Sequence, residues 1–336
     1  MARKMKDSGI EWIGEIPEGW EVAPLKRFAS IQTGNTPTKT SDSNYYASTG
    51  IPWIKPDNLG YSHSISKTSE YLTSEGALCA RIMPPNTVYV CCIGSLGKVG
   101  YSSISCACNQ QINALIFNDL MFWKYGYYLT IAQESQYLLF GNGNVLQIIN
   151  STSQGNIACV LPPLENQHLI ACYLDSVCSD IEILIAKARS SIEEYKKLKQ
   201  AVITQAVATQ QCSHIKLKYL MNVIVDCPHE TPTYSFTGNY YVIRTADQAL
   251  ASLRRDEDMY RLDASEYKKR TRRLTLDKDD IVYGREGERW GLACIVPESN
   301  KYCLGQRIMQ FRCNTKFLYP KYAMYTLNSE PVYLQG

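Results

Sequence analysis

LENQHLIACYLDSVCSDIEILIAKARSSIEEYKKLKQAVITQAVATQ, residues 164–210, contains neither Gly nor Pro, which suits a long uninterrupted helix. Leu174, Ile181, Ala188, Tyr195 and Val202 follow one another at intervals of seven. A second row, Val177, Leu184, Ser191 and Leu198, lies three positions further along, and Ile185 and Ile192 widen the stripe. Steps of three and four make one helix face apolar, and a strict seven-residue period makes that face a seam for another helix. Glu182, Lys187, Arg189, Glu193, Glu194, Lys196, Lys197 and Lys199 keep the rest polar. At 1.5 Å per residue the helix is roughly 50–65 Å long, depending on a break near Asp175. A helix of that length separates two bodies. The alternative is a core helix of one large domain, but core helices rarely exceed roughly 20 residues.

Working outward, 336 residues accommodate two domains and a connector. With 45% hydrophobic and 20% charged residues the composition is that of a globular protein. A net charge of +3 permits nucleic-acid binding without arguing for it, whereas 24 tyrosines suit a recognition surface. Thirteen cysteines behind a charged N-terminus, MARKMKDSGIEW, predict reduced thiols in a cytoplasm. Cys91-Cys92 and Cys106-x-Cys108 lack zinc spacing and a nearby histidine, so no metal site is expected. No apolar run approaches the roughly 18 residues that would span a membrane.

Residues 1–24 read as an extended lead-in that packs through its tryptophans. Residues 25–160 read as a mixed domain, with strands at Pro52–Lys55, Thr87–Cys92 and Ile112–Phe117, a helix at Met121–Gln133, a turn at Asn142-Gly143 and a strand from Gly155 to Val160. Residues 211–336 repeat the pattern after the 161–210 spacer region. Leu217-Lys218 echoes Leu25-Lys26, and Val242-Ile243-Arg244 echoes Trp53-Ile54-Lys55. Ile281-Val282-Tyr283 with Gly284 and Gly287 echoes Val88-Tyr89-Val90 with Gly94 and Gly97. Gly305-Gln306-Arg307-Ile308 echoes Asn109-Gln110-Gln111-Ile112, and Lys321–Tyr325 echoes Lys124–Tyr128. The offset drifts only between 189 and 197, so five ordered matches make a diverged tandem repeat. The second copy stops at Gly336, soon after Leu327, without its final strands or a second long helix. The expected fold class is therefore α+β: two mixed α/β recognition domains, the second incomplete, joined by a coiled-coil-forming helix.

The arrangement resembles the specificity subunit of type I restriction–modification enzymes. KDSGIEWIGEIPEGWEV at 6–22 resembles that family's N-terminal signature. IPWIK at 51–55, MPPNTVYVCCIGSLGKVGYS at 83–102 and ACNQQINAL at 107–115 resemble a target recognition domain. LPPLENQHLIACYLDSVCSDIEILI at 161–185 resembles the central conserved region. The resemblance implies two domains that read halves of a split double-stranded DNA target, held apart by paired antiparallel helices. It implies docked modification subunits that carry S-adenosylmethionine, and a restriction subunit in the full complex. This chain departs from the family in two places. Glu165 or Asn166 stands where the family has a hydroxyl or acidic cap, and the second helix is absent. The seam then pairs with the same helix in a second copy, or the chain is a truncated, inactive form.

Phosphates are met by Lys, Arg, hydroxyls and backbone N–H groups, and base edges by forked donors and acceptors. Ser95 and Lys98 in Gly94–Lys98 fit phosphate contact or simply a solvated hairpin. Arg285, Glu286 and Arg289 occupy the matching loop, where Arg285 suits guanine and Glu286 cytosine, or the two form a surface ion pair. Asn109, Gln110 and Gln111 suit adenine, although such a cluster also orders its own loop, and Gln306 and Arg307 share that ambiguity. Lys55, Asp57 and Asn58 close one strand, and Arg244 and Asp247 close its counterpart. Lys268, Lys269, Arg270, Arg272 and Arg273 form a basic cluster that tracks phosphates or is a solvated helix face.

An enzyme reading is weaker. Met83-Pro84-Pro85-Asn86 lacks the leading amide and closing aromatic of an adenine methyltransferase loop. Pro56-Asp57 has no nearby Glu-x-Lys, and His63, His168, His214 and His229 form no local pair. The expectation is a non-catalytic chain with no cofactor of its own.

Overall fold

The computed structural model describes residues 4–37, 44–60, 64–142, 147–207, 215–287 and 289–333. Gly143 of the expected turn, His63, His214, and residues 208–214 at the end of the spacer fall outside these. The chain divides into two compact units, residues 1–185 and 186–336.

In the first unit, Thr87–Cys91 is buried at every position, because it lies between two apolar layers. Val88 and Val90 point into a core with Tyr125, Tyr127 and Leu129 of the helix Trp123–Ala132. Tyr89 and Cys91 point the other way, against Ile54, Met83 and Cys106. The strand belongs to an antiparallel sheet ordered Val99–Ser102, Thr87–Cys91, Ile112–Phe117, Ala29–Thr33. Beneath it a second sheet places Ile51–Ile54 parallel to Cys106–Cys108, with Ile54 opposite Cys108.

The second unit has the same two-layer frame. Its antiparallel sheet runs Met221–Asp226, Ile308–Cys313, Ile281–Gly284, Ala293–Ile295, the same order read from the other edge. Its second sheet sets Tyr240–Ile243 parallel to Tyr302–Leu304, with Ile243 opposite Leu304. Ile281 packs towards Ala323 and Met324 of the helix Pro320–Leu327, and Val282 towards Ile243 and Cys294. Smaller features recur too. The 3-10 turns Leu25–Arg27 and Pro56–Asn58 reappear as Leu217–Tyr219 and Thr245–Asp247, and the helix Ser74–Cys79 as Ala264–Arg270. The left-handed residues Asn86 and Asp279 precede the central strand by one and two positions.

The spacer is one helix, Leu164–Val207, of 44 residues, about 66 Å at 1.5 Å per residue. Asp175 does not break it, because its carboxylate accepts from the Lys124 ammonium and, at 2.8 Å, from the Tyr128 hydroxyl. Leu164 opens the helix, so Glu165 and Asn166 lie inside its first turn instead of capping it. Gln167 anchors that turn: it is fully buried, accepts from Phe122 N–H at 2.7 Å and donates to the carbonyls of Pro162 and Leu120 at 2.8 and 3.1 Å. Within the chain Leu174 and Val177 are half-buried, whereas Ile181, Leu184, Ile185, Ala188, Ile192, Tyr195, Leu198 and Val202 are exposed.

The lead-in differs from its expectation. Met5–Asp7 pairs with Glu15–Pro17, and Glu21–Pro24 pairs with Ala158–Leu161. Trp12 is exposed, and Ile16 is the residue that goes inside. Residues 151–155 form a short helix capped by Asn150, whose Oδ1 accepts from Ser153 N–H at 2.7 Å, so the following strand starts at Ala158 instead of Gly155.

Candidate nucleic-acid interface

In each unit the frame gathers three loops. The first is the 3-10 turn that ends the inner parallel strand. In the first unit Asn58 Oδ1 accepts from the Lys55 backbone N–H at 2.9 Å, which fixes the turn and leaves the lysine side chain outside it. Lys55 Nζ lies 2.8 Å from Glu70 and 5.0 Å from the centre of the Trp53 ring. The second loop, Asn109–Gln111, is held to that strand by Asn109 N–H donating to the Ile54 carbonyl at 3.1 Å. Asn109 is buried and orders its own loop, with Oδ1 accepting from Gln111 N–H at 3.1 Å and Nδ2 donating to Gln111 Oε1 at 3.0 Å. Gln110 is exposed and bonds Thr36. The third loop is the hairpin from Cys92 to Lys98, rooted by Cys92 N–H on the Gln111 carbonyl at 2.8 Å. Gly94 and Gly97 take positive φ angles of 84° and 80°, and between and beside them Ser95 and Lys98 are exposed.

The second unit repeats these connections with different side chains. Gly305 N–H donates to the Ile243 carbonyl at 2.7 Å, and Arg285 N–H donates to the Arg307 carbonyl at 2.9 Å. A side chain at 305 would collide, since a Cβ there would lie 2.7 Å from Ile243 O and 3.2 Å from Arg244 Cα. Arg244, Gln306, Arg307 and Arg285 therefore lie on adjoining loops. Arg307 is exposed, and Gln306 Nε2 lies 3.3 Å from Thr231 Oγ1.

Several expected readers are occupied by the protein itself. The Arg285 guanidinium pairs with Asp226 and with Glu286, so these two residues hold each other where guanine and cytosine contacts were expected. Asp226 also lies 3.3 Å from His229 Nε2. Arg289 donates to the Gln248 carbonyl and is tied to the hairpin of Gln248–Ala249 and Ser252–Leu253; Glu288 lies outside the described residues. Arg270 is buried, and its guanidinium donates to the carbonyls of Leu304 and Glu230 at 3.0 Å and of Pro228 at 3.5 Å. It staples the 228–230 loop to the sheet and has no fork left for a phosphate. Lys269 lies 2.8 Å from Glu230, whose carboxyl it holds below the usual range, while Lys268, Arg272 and Arg273 are exposed.

Tyr234 and Tyr260 were not singled out from the sequence, yet both are exposed near the Arg244 turn. The Tyr234 and Tyr260 rings meet edge-on at 4.6 Å, and Arg244 stacks 3.8 Å over Tyr260. Their only local signal is tyrosine abundance.

The chain is thus a tandem repeat of one mixed fold joined by a long helix, with a polar loop edge on each copy. The family described as the type I restriction modification DNA specificity domain matches residues 17–194, a little over half of the chain. The chain belongs to this family. It is 30% identical over 156 residues to the HindI type I restriction enzyme specificity subunit of Haemophilus influenzae, covering 45% of this chain and 33% of that one. It is 23% identical over 290 residues to the StySPI specificity subunit of Salmonella potsdam, covering 80% and 62%. The chain thus spans between a third and under two thirds of the length of these curated relatives. In fold it is similar to the HsdS subunit of Thermoanaerobacter tengcongensis, with a TM-score of 0.51 and 14% identity over 95% of this chain and 82% of that one. Among the described residues no helix is long and apolar enough to cross a membrane.

Proposed function

We propose that the chain is the DNA-reading specificity subunit of a type I restriction–modification complex, with each unit reading one half of a bipartite duplex target. The observation that carries this reading is the repetition: two copies of one frame gather the same three loops, with different polar side chains on each. A frame kept constant under varied loops is what base discrimination requires. Lys55, Asn58, Ser95, Lys98, Gln110 and Gln111 serve the first half-site, and Arg244, Gln306, Arg307, Lys268 and Lys269 the second. The chain does no chemistry itself. Modification subunits dock on the central helix and bring S-adenosylmethionine, a restriction subunit joins them for cleavage, and the complex works in the cytoplasm.

The exposed seam supports a second proposal, self-association. Near the end of the helix, Tyr195, Leu198, Val202 and Ala206 line an apolar groove of about 510 Å³ with Tyr322 and Tyr325. A matching helix, from a second copy or a partner subunit, would cover these side chains.

The test is a footprint on duplex DNA, recovered by selection with the chain alone and with its cognate modification subunit, together with the molar mass of each species. Two protected stretches separated by an unprotected gap are expected, with affinity falling steeply as salt rises. One continuous footprint would exclude bipartite reading, and binding without sequence preference would exclude a specificity role.

A further inference from the structure

We infer that Arg244 reads guanine through a guanidinium fork set before DNA arrives by Asp247 and Tyr260; this rests on the DNA-reading function proposed above. Asp247 is fully buried, and both of its oxygens face Arg244. Oδ2 accepts from the Arg244 backbone N–H at 3.0 Å and from Nε at 2.9 Å, while Oδ1 accepts from Nη2 at 2.9 Å. This clasp uses the Nε–Nη2 edge of the guanidinium. It leaves the Nη1–Nη2 edge, the fork that matches guanine O6 and N7 in the major groove. Tyr260, 3.8 Å below the guanidinium, fixes the plane of that fork. The Arg244 side chain is only 23% exposed, so its position is set largely by these protein contacts.

A phosphate contact explains the arrangement less well. Phosphate binding draws on positive charge, and here Asp247 offsets the charge of the guanidinium it clasps. What the clasp adds is direction, which matters for a base edge and little for a phosphate. The matching turn of the first unit shows the contrast: Asn58 fixes the backbone there without clasping the side chain, and Lys55 has no fork.

The experiment is selection of randomised duplexes by wild type, Arg244→Lys and Asp247→Asn, with melting temperatures measured alongside. Arg244→Lys keeps the charge, and Asp247→Asn keeps the backbone cap, as Asn58 does in the first unit. For Arg244→Lys the preference for G·C at one position of one half-site is expected to fall roughly ten- to hundredfold, the range of one bidentate base contact. Asp247→Asn, a change in a positioning residue, should weaken the same position less and move no other. Selection by wild type of no sequence would overturn both the DNA-reading function and this inference. An unchanged wild-type motif in both variants, or a uniform loss across all sequences, would overturn the inference alone, the second outcome marking a phosphate contact. A drop in melting temperature without a change in the selected motif would also count against it.

Discussion

Where the central strand meets its neighbour, the first unit holds Thr87, Ala114 and Ile116, and the second holds Asp280, Gln310 and Arg312 at the matching positions. In the first, Ala114 and Ile116 join an apolar core and Thr87 Oγ1 donates to the Pro84 carbonyl at 2.7 Å. In the second, the buried Asp280 accepts from Arg312 Nε and Nη2 at 2.8 Å and from Gln310 Nε2 at 2.6 Å. It also accepts from the Asp277 backbone N–H at 2.8 Å. One backbone is thus filled by apolar packing in one copy and by an ionic cluster in the other. Frame and filling are separable, and the same separation extends to the loops.

The hardest test of this comparison is Asp280→Ala. It removes the buried carboxylate that joins Arg312 and Gln310 and leaves them Asp277 and the Thr275 carbonyl, so it should cost the second unit about 2 kcal/mol, whereas Thr87→Ala should cost the first about 1 kcal/mol. Hydrogen exchange followed unit by unit distinguishes them, and equal loss of protection in both units would break the comparison. Next in size is a four-residue insertion between Ser190 and Ser191, which lengthens the helix by about 6 Å, the rise of about two base pairs. The preferred gap should grow while both half-sequences stay fixed. An unchanged gap would remove the helix as the spacer.

Lys55→Ala sharpens the contrast with Arg244. Its partner Glu70 is 42% exposed, so stability should change by less than about 1 kcal/mol. DNA affinity should weaken for every sequence, with the salt slope lowered by about 1. A loss confined to one base pair would make Lys55 a base reader. The smallest difference between units is expected from the thiols. Burial pushes Cys92 and Cys108 in the first unit, and Cys303 in the second, up to about 12 from 9.0. In the unfolded chain they ionise at about 9, so their contribution is intact below about pH 8 and declines as pH rises from 9 towards 12. Denaturation at a series of pH values should show both units weakening together.

The sequence echoes fall on equivalent elements, because strands and turns are where the frame constrains residue type, except for the glycines: Gly284 ends its strand, and Gly287 and Gly291, with φ angles of 88° and 81°, are the residues that match Gly94 and Gly97. The long helix was legible for the same reason, as its period is written in consecutive residues. The pairings that decide which side chains are available were not legible. Asp226 stands 59 positions before Arg285, and the carbonyls that Arg270 holds lie 34 to 42 positions away. Burial of an arginine depends on such distant partners, so Arg270 read as one more member of an exposed basic cluster. Asp247 was legible as a strand end, but not as a clasp.

The two versions of the strand-end turn, Lys55–Asn58 and Arg244–Asp247, are neighbours in the genetic code as well. A single-nucleotide change converts a lysine codon to an arginine codon, and another converts asparagine to aspartate. Because the third turn residue caps the backbone in either form, a lineage can pass between the two without an unfolded intermediate. A domain built this way can explore new recognition by point mutation while its architecture is inherited unchanged.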